Sequence, residues 1–304
     1  MSLSQKNIKD KIKTSSNIKK TTKTMEMISA VKMRRMVSRT LNVREYARYA
    51  VELIESFSKN KSISHPLIQK RVSGKTLIIL VASNKGLCGG YNARVAKALK
   101  NYIGDLDPKI FEVVAVGKHA EKMATRNKLN LLASFVSINE IVSPFQVNNI
   151  LETVVEEFKK NKDYKKVVLI HTSFIKPLEY APVVRRFLPI SKGAIHDLSD
   201  DKKNTLPQKQ INTSHYVLEP DASTLLNQIV PQLLLSIMFE AILESLASEH
   251  GSRMVAMKNA TDNAKKIQDE LVLWFNKARQ ASITREIAEI SGGAEALTGA
   301  SITI

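Results

Sequence analysis

The stretch MKNATDNAKKIQDELVLWFNKARQA, residues 257–281, decides how this chain is built. Within it Met257, Ala260, Ala264, Ile267, Leu271, Trp274, Ala278 and Ala281 step by 3, 4, 3, 4, 3, 4, 3. Heptad spacing sustained this long keeps one apolar seam facing a partner helix, which is the mark of a left-handed coiled coil. Four of the eight positions are alanine, so the two axes can approach closely while each layer buries little area. An amphipathic helix lying on a globule is the alternative, and the length of the run weighs against it. Around this stretch, the chain after Pro231 holds one glycine, Gly251, and no proline before Gly292-Gly293. We therefore expect one helix over about 232–291, roughly 90 Å long at 1.5 Å per residue. A compact globule of this chain length is about 50 Å across, so the helix must project from it.

The N-terminal segment supplies the mate. The first proline is Pro66 and the first glycine Gly74, an absence hard to reconcile with turns. Ser2 and Gln5 have capping-box spacing, and a single helix is expected from there to about Ser58. Its apolar stripe, Ile8, Ile12, Ile18, Met25, Ile28, Met36 and Leu41, is interrupted by Thr21, Thr22 and Ser29. The seam is therefore narrow and partly polar. The expected architecture is a long antiparallel two-helix coiled coil of the N- and C-terminal helices, carrying a central Rossmann-like α/β domain.

That domain is read from short β-branched runs at 76–82 (TLIILVA), 111–116, 131–138 and 167–171 (VVLIH), alternating with helical patterns at 93–102, 119–126 and 145–160. Alternation of this kind makes a parallel sheet covered on both faces. The polar stretch 191–212 reads as a mobile loop, and Asp221-Ala-Ser-Thr as the start of a short helix that Pro231 kinks into the long one. The segments expected are 1–74 (helix), 75–212 (α/β domain) and 213–304 (helix).

Charge and chemistry narrow the function. The chain has 304 residues and a net charge of +17, with 18 basic and 5 acidic side chains in residues 1–75. Residues 221–304 carry 7 and 10. The first quarter thus seeks an acidic partner, whether nucleic acid, anionic lipid or acidic protein loops. Against nucleic acid, no aromatic occurs in the first forty-five residues to stack on bases. The clean heptad also lies at the wrong end of the chain for a basic zipper. Cys88 is the single cysteine, so an internal disulfide is excluded and a reducing compartment is suggested. The six histidines show no i,i+3 or i,i+4 pair, and a metal site is not expected. No bilayer span and no signal segment are expected.

Ser83-Asn-Lys-Gly86-Leu-Cys88-Gly89-Gly90-Tyr-Asn92 stands between a strand and a helix, where phosphate loops lie, yet it has neither glycine fingerprint. A tight turn needing positive φ at its glycines is the preferred reading. Cys88 reads as a small buried thiol. Glu240, Glu244, Glu249, Asp269 and Glu270, beside Arg253, Lys265 and Lys266, read as solvated helix surface. No catalytic constellation and no cofactor-binding residue emerges.

Four blocks carry a resemblance: residues 22–35 (TKTMEMISAVKMRR), 86–92 (GLCGGYN), 252–264 (SRMVAMKNATDNA) and 276–286 (NKARQASITRE). Together, from end to end, they resemble the gamma subunit of F-type ATP synthases. The resemblance implies a non-catalytic rotating central stalk. It would sit inside a ring of three alpha and three beta subunits and couple proton flow through a ring of c subunits to ATP synthesis or hydrolysis. Its α/β foot would meet the epsilon subunit and the c ring. It further implies that Lys23, Met25, Arg34 and Arg35 face beta-subunit levers, that Arg279, Gln280 and Thr284 catch beta loops, and that the turn with Gly86, Gly89 and Gly90 lies in the foot. Plant-type relatives carry two regulatory cysteines in an insertion. With Cys88 alone and no transit segment, a bacterial complex on the cytoplasmic face of the inner membrane is implied. A basic-armed nucleic-acid binder remains the alternative.

Overall fold

The computed structural model describes residues 5–58, 66–136, 138, 142–176, 179–190 and 222–300. The chain divides into two units, residues 1–28 with 254–304, and residues 29–253. The divisions fall inside the two longest helices, α1 (Gln5–Ser58) and α5 (Ala222–Ala300). Cα packing changes partners part-way along each helix, which composition does not register.

In the larger unit, five strands form one sheet: β1 (Lys75–Val81), β2 (Phe111–Val116), β3 (Asn130–Phe135), β4 (Tyr164–Lys176) and β5 (Glu179–Leu188). The spatial order is β3-β2-β1-β4-β5, with the first four parallel and β5 antiparallel to β4. Helices α2 (Tyr91–Ile103), α3 (Lys118–Arg126) and α4 (Pro144–Lys160) make the crossovers. Both faces are covered, which is why the inner strands read as continuous apolar runs. Leu77, Ile79, Val114, Val167 and Leu169 face α4 (Val147, Ile150, Val154, Phe158) and the α5 stretch containing Leu233, Leu234, Met238 and Leu243. The alternate residues Ile78, Leu80, Val113, Ala115, Val168 and Ile170 face Val95 and Leu99 of α2 and Ala120 and Ala124 of α3. Helix α4 opens with a complete capping box between Ser143 and Gln146, with Pro144 at its first position.

Several expectations are corrected. Strand β5 was not anticipated, because Pro182, Arg185 and Arg186 interrupt its apolar pattern. At a sheet edge, however, proline gives up no needed ladder bond and arginines reach water. Pro231 lies inside α5 and ends nothing. Its ring removes one bond to the carbonyl of Asn227, a cost the buried flanks Val230, Leu233 and Leu234 offset by packing. Gly292 and Gly293 likewise continue the helix to Ala300. Glycine disfavours a helix by only about 1 kcal/mol, which an otherwise unbroken helix can absorb. Ser2 and the expected loop 191–212 lie outside the described residues, as does Asp221. One window of α5 has a mean hydropathy of 1.6, as apolar as a membrane span, and 61% of it is buried within the protein.

Glu240, Glu244 and Glu249 are 7%, 2% and 7% exposed, against the expectation of solvated carboxylates. Here α5 is enclosed on every side, so faces that helical periodicity marks as outer are inner. Asp269 and Glu270 are exposed as expected. Opposite Glu244 stands His171 on β4, its Nε2 3.5 Å from the carboxylate, with both side chains at most 3% exposed. Burial lowers the His171 pKa, the Glu244 contact opposes that and the Arg185 charge adds to it.

Candidate functional site

In the smaller unit the two helix ends run antiparallel, and among the described residues three hydrogen bonds join them. Gln5 Nε2 donates to the Ala278 carbonyl (3.2 Å), Ser15 Oγ to the Ala264 carbonyl (2.8 Å), and Thr261 Oγ1 to Thr22 Oγ1 (2.8 Å). As the first-helix number rises from 5 to 22, the partner falls from 278 to 261. The packed face of α1 is Ile8, Ile12, Ser15, Lys19, Thr22 and Glu26, all buried or half-buried, at steps of 4, 3, 4, 3, 4. Thus Ser and Thr hold seam positions, and hydroxyl-to-carbonyl bonds satisfy them where a larger apolar side chain would hold the axes apart. By contrast Ile18 (50% exposed), Met25 (37%) and Ile28 (48%) point outward, so the stripe expected from apolarity is rotated.

Helix α5 shows the same rotation. Met257 and Ala264 are buried, and Ala260, Leu271 and Ala278 half-buried. Ile267 and Trp274 are 52% and 59% exposed, and Ala281 is exposed. The second heptad series runs one residue later, through Thr261, Gln268, Phe275 and Ser282, each half-buried. Steps of three and four are both allowed on a helix face, so apolarity favoured Ile267 and Trp274 where geometry selects their polar or aromatic neighbours. The seam that results is small and polar, and large apolar side chains lie on the outside.

The residues assigned to partner contact are all solvent-facing. Lys23, Met25, Arg34 and Arg35 are exposed on α1, and Arg279, Gln280 and Thr284 on α5. Lys23 Nζ bonds Glu26 at 3.1 Å, an i,i+3 pair on the surface and worth little on its own.

The larger unit holds the strand-to-helix turn. Of its three glycines only Gly89 has positive φ (+55°), and Leu87 takes the other left-handed position at +59°. Gly86 has open space around the place of a Cβ, as does Gly90, so neither is required by crowding. The turn is fixed from inside. Ser83 Oγ donates to the Lys85 carbonyl (2.9 Å), while Asn92 Nδ2 reaches Ser83 Oγ (2.7 Å) and Cys88 Sγ (3.2 Å). It is also fixed from α5, where Ser252 Oγ donates to the Cys88 carbonyl (2.6 Å) and Arg253 reaches the Gly86 carbonyl (3.2 Å) and Glu249 Oε1 (2.6 Å). Tyr180 Oη donates to Ser252 Oγ at 2.7 Å, adding β5 to the clamp. Cys88 is buried with a free thiol, as expected. The clamp was not foreseen. Its one signal in the sequence is the Ser252-Arg253 pair within the third quoted block.

At the other end of the sheet, Lys75 Nζ meets Glu112 Oε1 at 2.8 Å and Tyr164 Oη donates to the same carboxylate. Burial works against the Glu112 charge, but the bonds from Lys75, Tyr164 and Asn130 prevail and hold the carboxyl below its usual value. Among the described residues, no group of three or more His, Cys, Asp or Glu side chains is arranged to hold a metal ion.

Comparison with known proteins places this geometry. A family profile described as ATP synthase matches residues 4–297. A curated relative named ATP synthase gamma chain, from Polynucleobacter necessarius, is 35% identical over 297 residues, covering 97% of this chain and 99% of that one. Another of the same name, from Ralstonia nicotianae, is 34% identical over 295 residues, covering 96% and 99%. Among solved structures, the central stalk and c ring of the Tetrahymena thermophila mitochondrial ATP synthase gives a TM-score of 0.58 at 27% identity, covering 79% of this chain and 98% of that one. A chain of the Euglena gracilis mitochondrial enzyme in rotational state 3 gives a TM-score of 0.66 at 16% identity, covering 99% and 96%, and shares the fold. With its antiparallel helix pair, its doubly covered sheet and relatives matched over nearly their whole length, this chain belongs to the ATP synthase gamma-chain family.

Proposed function

We propose that the chain is the rotary central stalk of an F-type ATP synthase, coupling proton flow through a c ring to ATP synthesis or hydrolysis in an alpha and beta head. The observation that carries this is the small, hydroxyl-bonded seam of the helix pair: it brings two axes close together and leaves Ile18, Ile28, Ile267 and Trp274 on the outer surface. A slim rod with an apolar and basic exterior suits a part that turns inside a close-fitting ring and meets acidic loops. Family membership favours this reading over that of a nucleic-acid binder.

In this reading Lys23, Met25, Arg34 and Arg35 face the beta-subunit levers, and Arg279, Gln280 and Thr284 catch beta loops. The turn at Gly86, Gly89 and Gly90 belongs to the foot, which meets the epsilon subunit and the c ring. The complex would stand on the cytoplasmic face of a bacterial inner membrane, with this chain regulating ATP hydrolysis in the head without doing chemistry itself.

Reconstitution with alpha and beta subunits tests the proposal. Omitting this chain should abolish cooperative ATP hydrolysis, and adding it back should restore the activity. Hydrolysis independent of the chain would overturn the proposal.

A further inference from the structure

A cavity of about 430 Å³ lies in the larger unit just beyond the carboxyl ends of β1 and β2. Doubly wound sheets bind ligands at this edge, and the volume falls in the range of about 300–1,000 Å³ of small-molecule sites. Its lining is largely apolar, with Val81, Val116, Val136, Ile242 and Leu246 among its residues, and α5 forms one wall. Cationic groups converge on it: Lys85 and Lys118 are exposed at its margin, and Arg253 and His250 come from α5. Glu249 also lines it, but bonds Arg253 at 2.6 Å, so the lysines leave the lining net positive.

The start of α3 does not provide the anion grip. The Lys118 backbone N–H donates to Asn84 Oδ1 (3.0 Å) and that of His119 to the Ser83 carbonyl (3.0 Å). The grip falls to side chains, and lysines hold phosphate oxygens as point charges.

We propose that this cavity binds a nucleoside phosphate, its base between the apolar walls and its phosphates against Lys85 and Lys118. The inference is independent of the rotary reading, since the cavity belongs to the chain alone. Because α5 is one wall, an occupant would fasten that helix to the sheet edge.

The test is titration of the purified full-length chain with ATP, ADP, adenosine and inorganic tripolyphosphate, followed calorimetrically. ATP and ADP should bind saturably, one per chain, while adenosine and tripolyphosphate each bind at least about tenfold more weakly. Lys118→Ala should weaken ATP binding about tenfold, and Val136→Trp, which fills the cavity, should abolish it, each with an unchanged far-ultraviolet circular dichroism spectrum. Lack of saturable ATP binding by the folded wild-type chain would overturn the proposal. Binding indifferent to both substitutions, or tripolyphosphate binding as tightly as ATP, would also do so.

Discussion

Helix α5 serves two masters. Between Leu233 and Ser252 nearly every residue is buried in the larger unit, whereas between Lys258 and Ala294 only Ala264 is. The first stretch is packed as a core element of an α/β domain. The second relies on one narrow face, where Ser15, Thr22 and Gln5 of α1 bond it. Stability in the first comes from apolar area, at about 25 cal/mol per Å². In the second it comes from close approach and a few hydrogen bonds, each worth about 1 kcal/mol net. An anchor and a spindle are thus made from one continuous helix by changing side-chain size and not secondary structure.

The comparison predicts a graded set of responses. Phe158→Ala, which empties a fully buried position of the domain core, should cost about 3–5 kcal/mol and lower the urea midpoint accordingly. Leu271→Pro should cost about 3 kcal/mol in the helix pair alone. Hydrogen exchange should then rise around residues 264–278 while the sheet keeps its protection, and coupled synthesis should be lost. Ala264→Leu overfills a position that is 5% exposed and should cost about 1–3 kcal/mol, whereas Ile267→Ala, which removes as many carbons from an exposed position, should stay within about 0.5 kcal/mol. Equal costs for those two would restore the seam read from apolarity.

The smallest effect concerns acidity. Burial lowers the folded pKa of His171 below the ordinary value of 6.5 that its unfolded form keeps. Its contribution is therefore fully present above 6.5 and is lost as the pH falls from there toward the folded value. Urea melts at pH 7.5 and 5.5 should differ less for His171→Gln than for the wild type. An equal or greater difference would place the acid sensitivity elsewhere.

Long helices were legible because an absence is informative: no proline or glycine before Pro66 leaves little other than helix. Four strands were legible because β-branched runs such as TLIILV admit few alternatives. What escaped notice was whatever depends on neighbours. Pro231, Gly292 and Gly293 are helix breakers in isolation, yet they sit within one helix. Composition assigns Ile267 and Trp274 to a seam that Thr261 and Gln268 occupy. Glu244 resembles a surface carboxylate until His171 and the enclosing elements are placed around it. Met25 and Arg279 are proposed as contact residues by resemblance alone, since an exposed side chain carries no local signal of what it will touch.

The most direct test of the central claim joins the two helices covalently. Ser15→Cys with Ala264→Cys, in a Cys88→Ser background, places thiols on two buried seam residues whose backbones are already held close, Ser15 Oγ lying 2.8 Å from the Ala264 carbonyl oxygen. The account predicts rapid disulfide formation within the chain under mild oxidation, together with preserved coupled ATP synthesis, because a spindle stapled to itself still turns. Failure of the pair to cross-link, or loss of synthesis once it has done so, would contradict it.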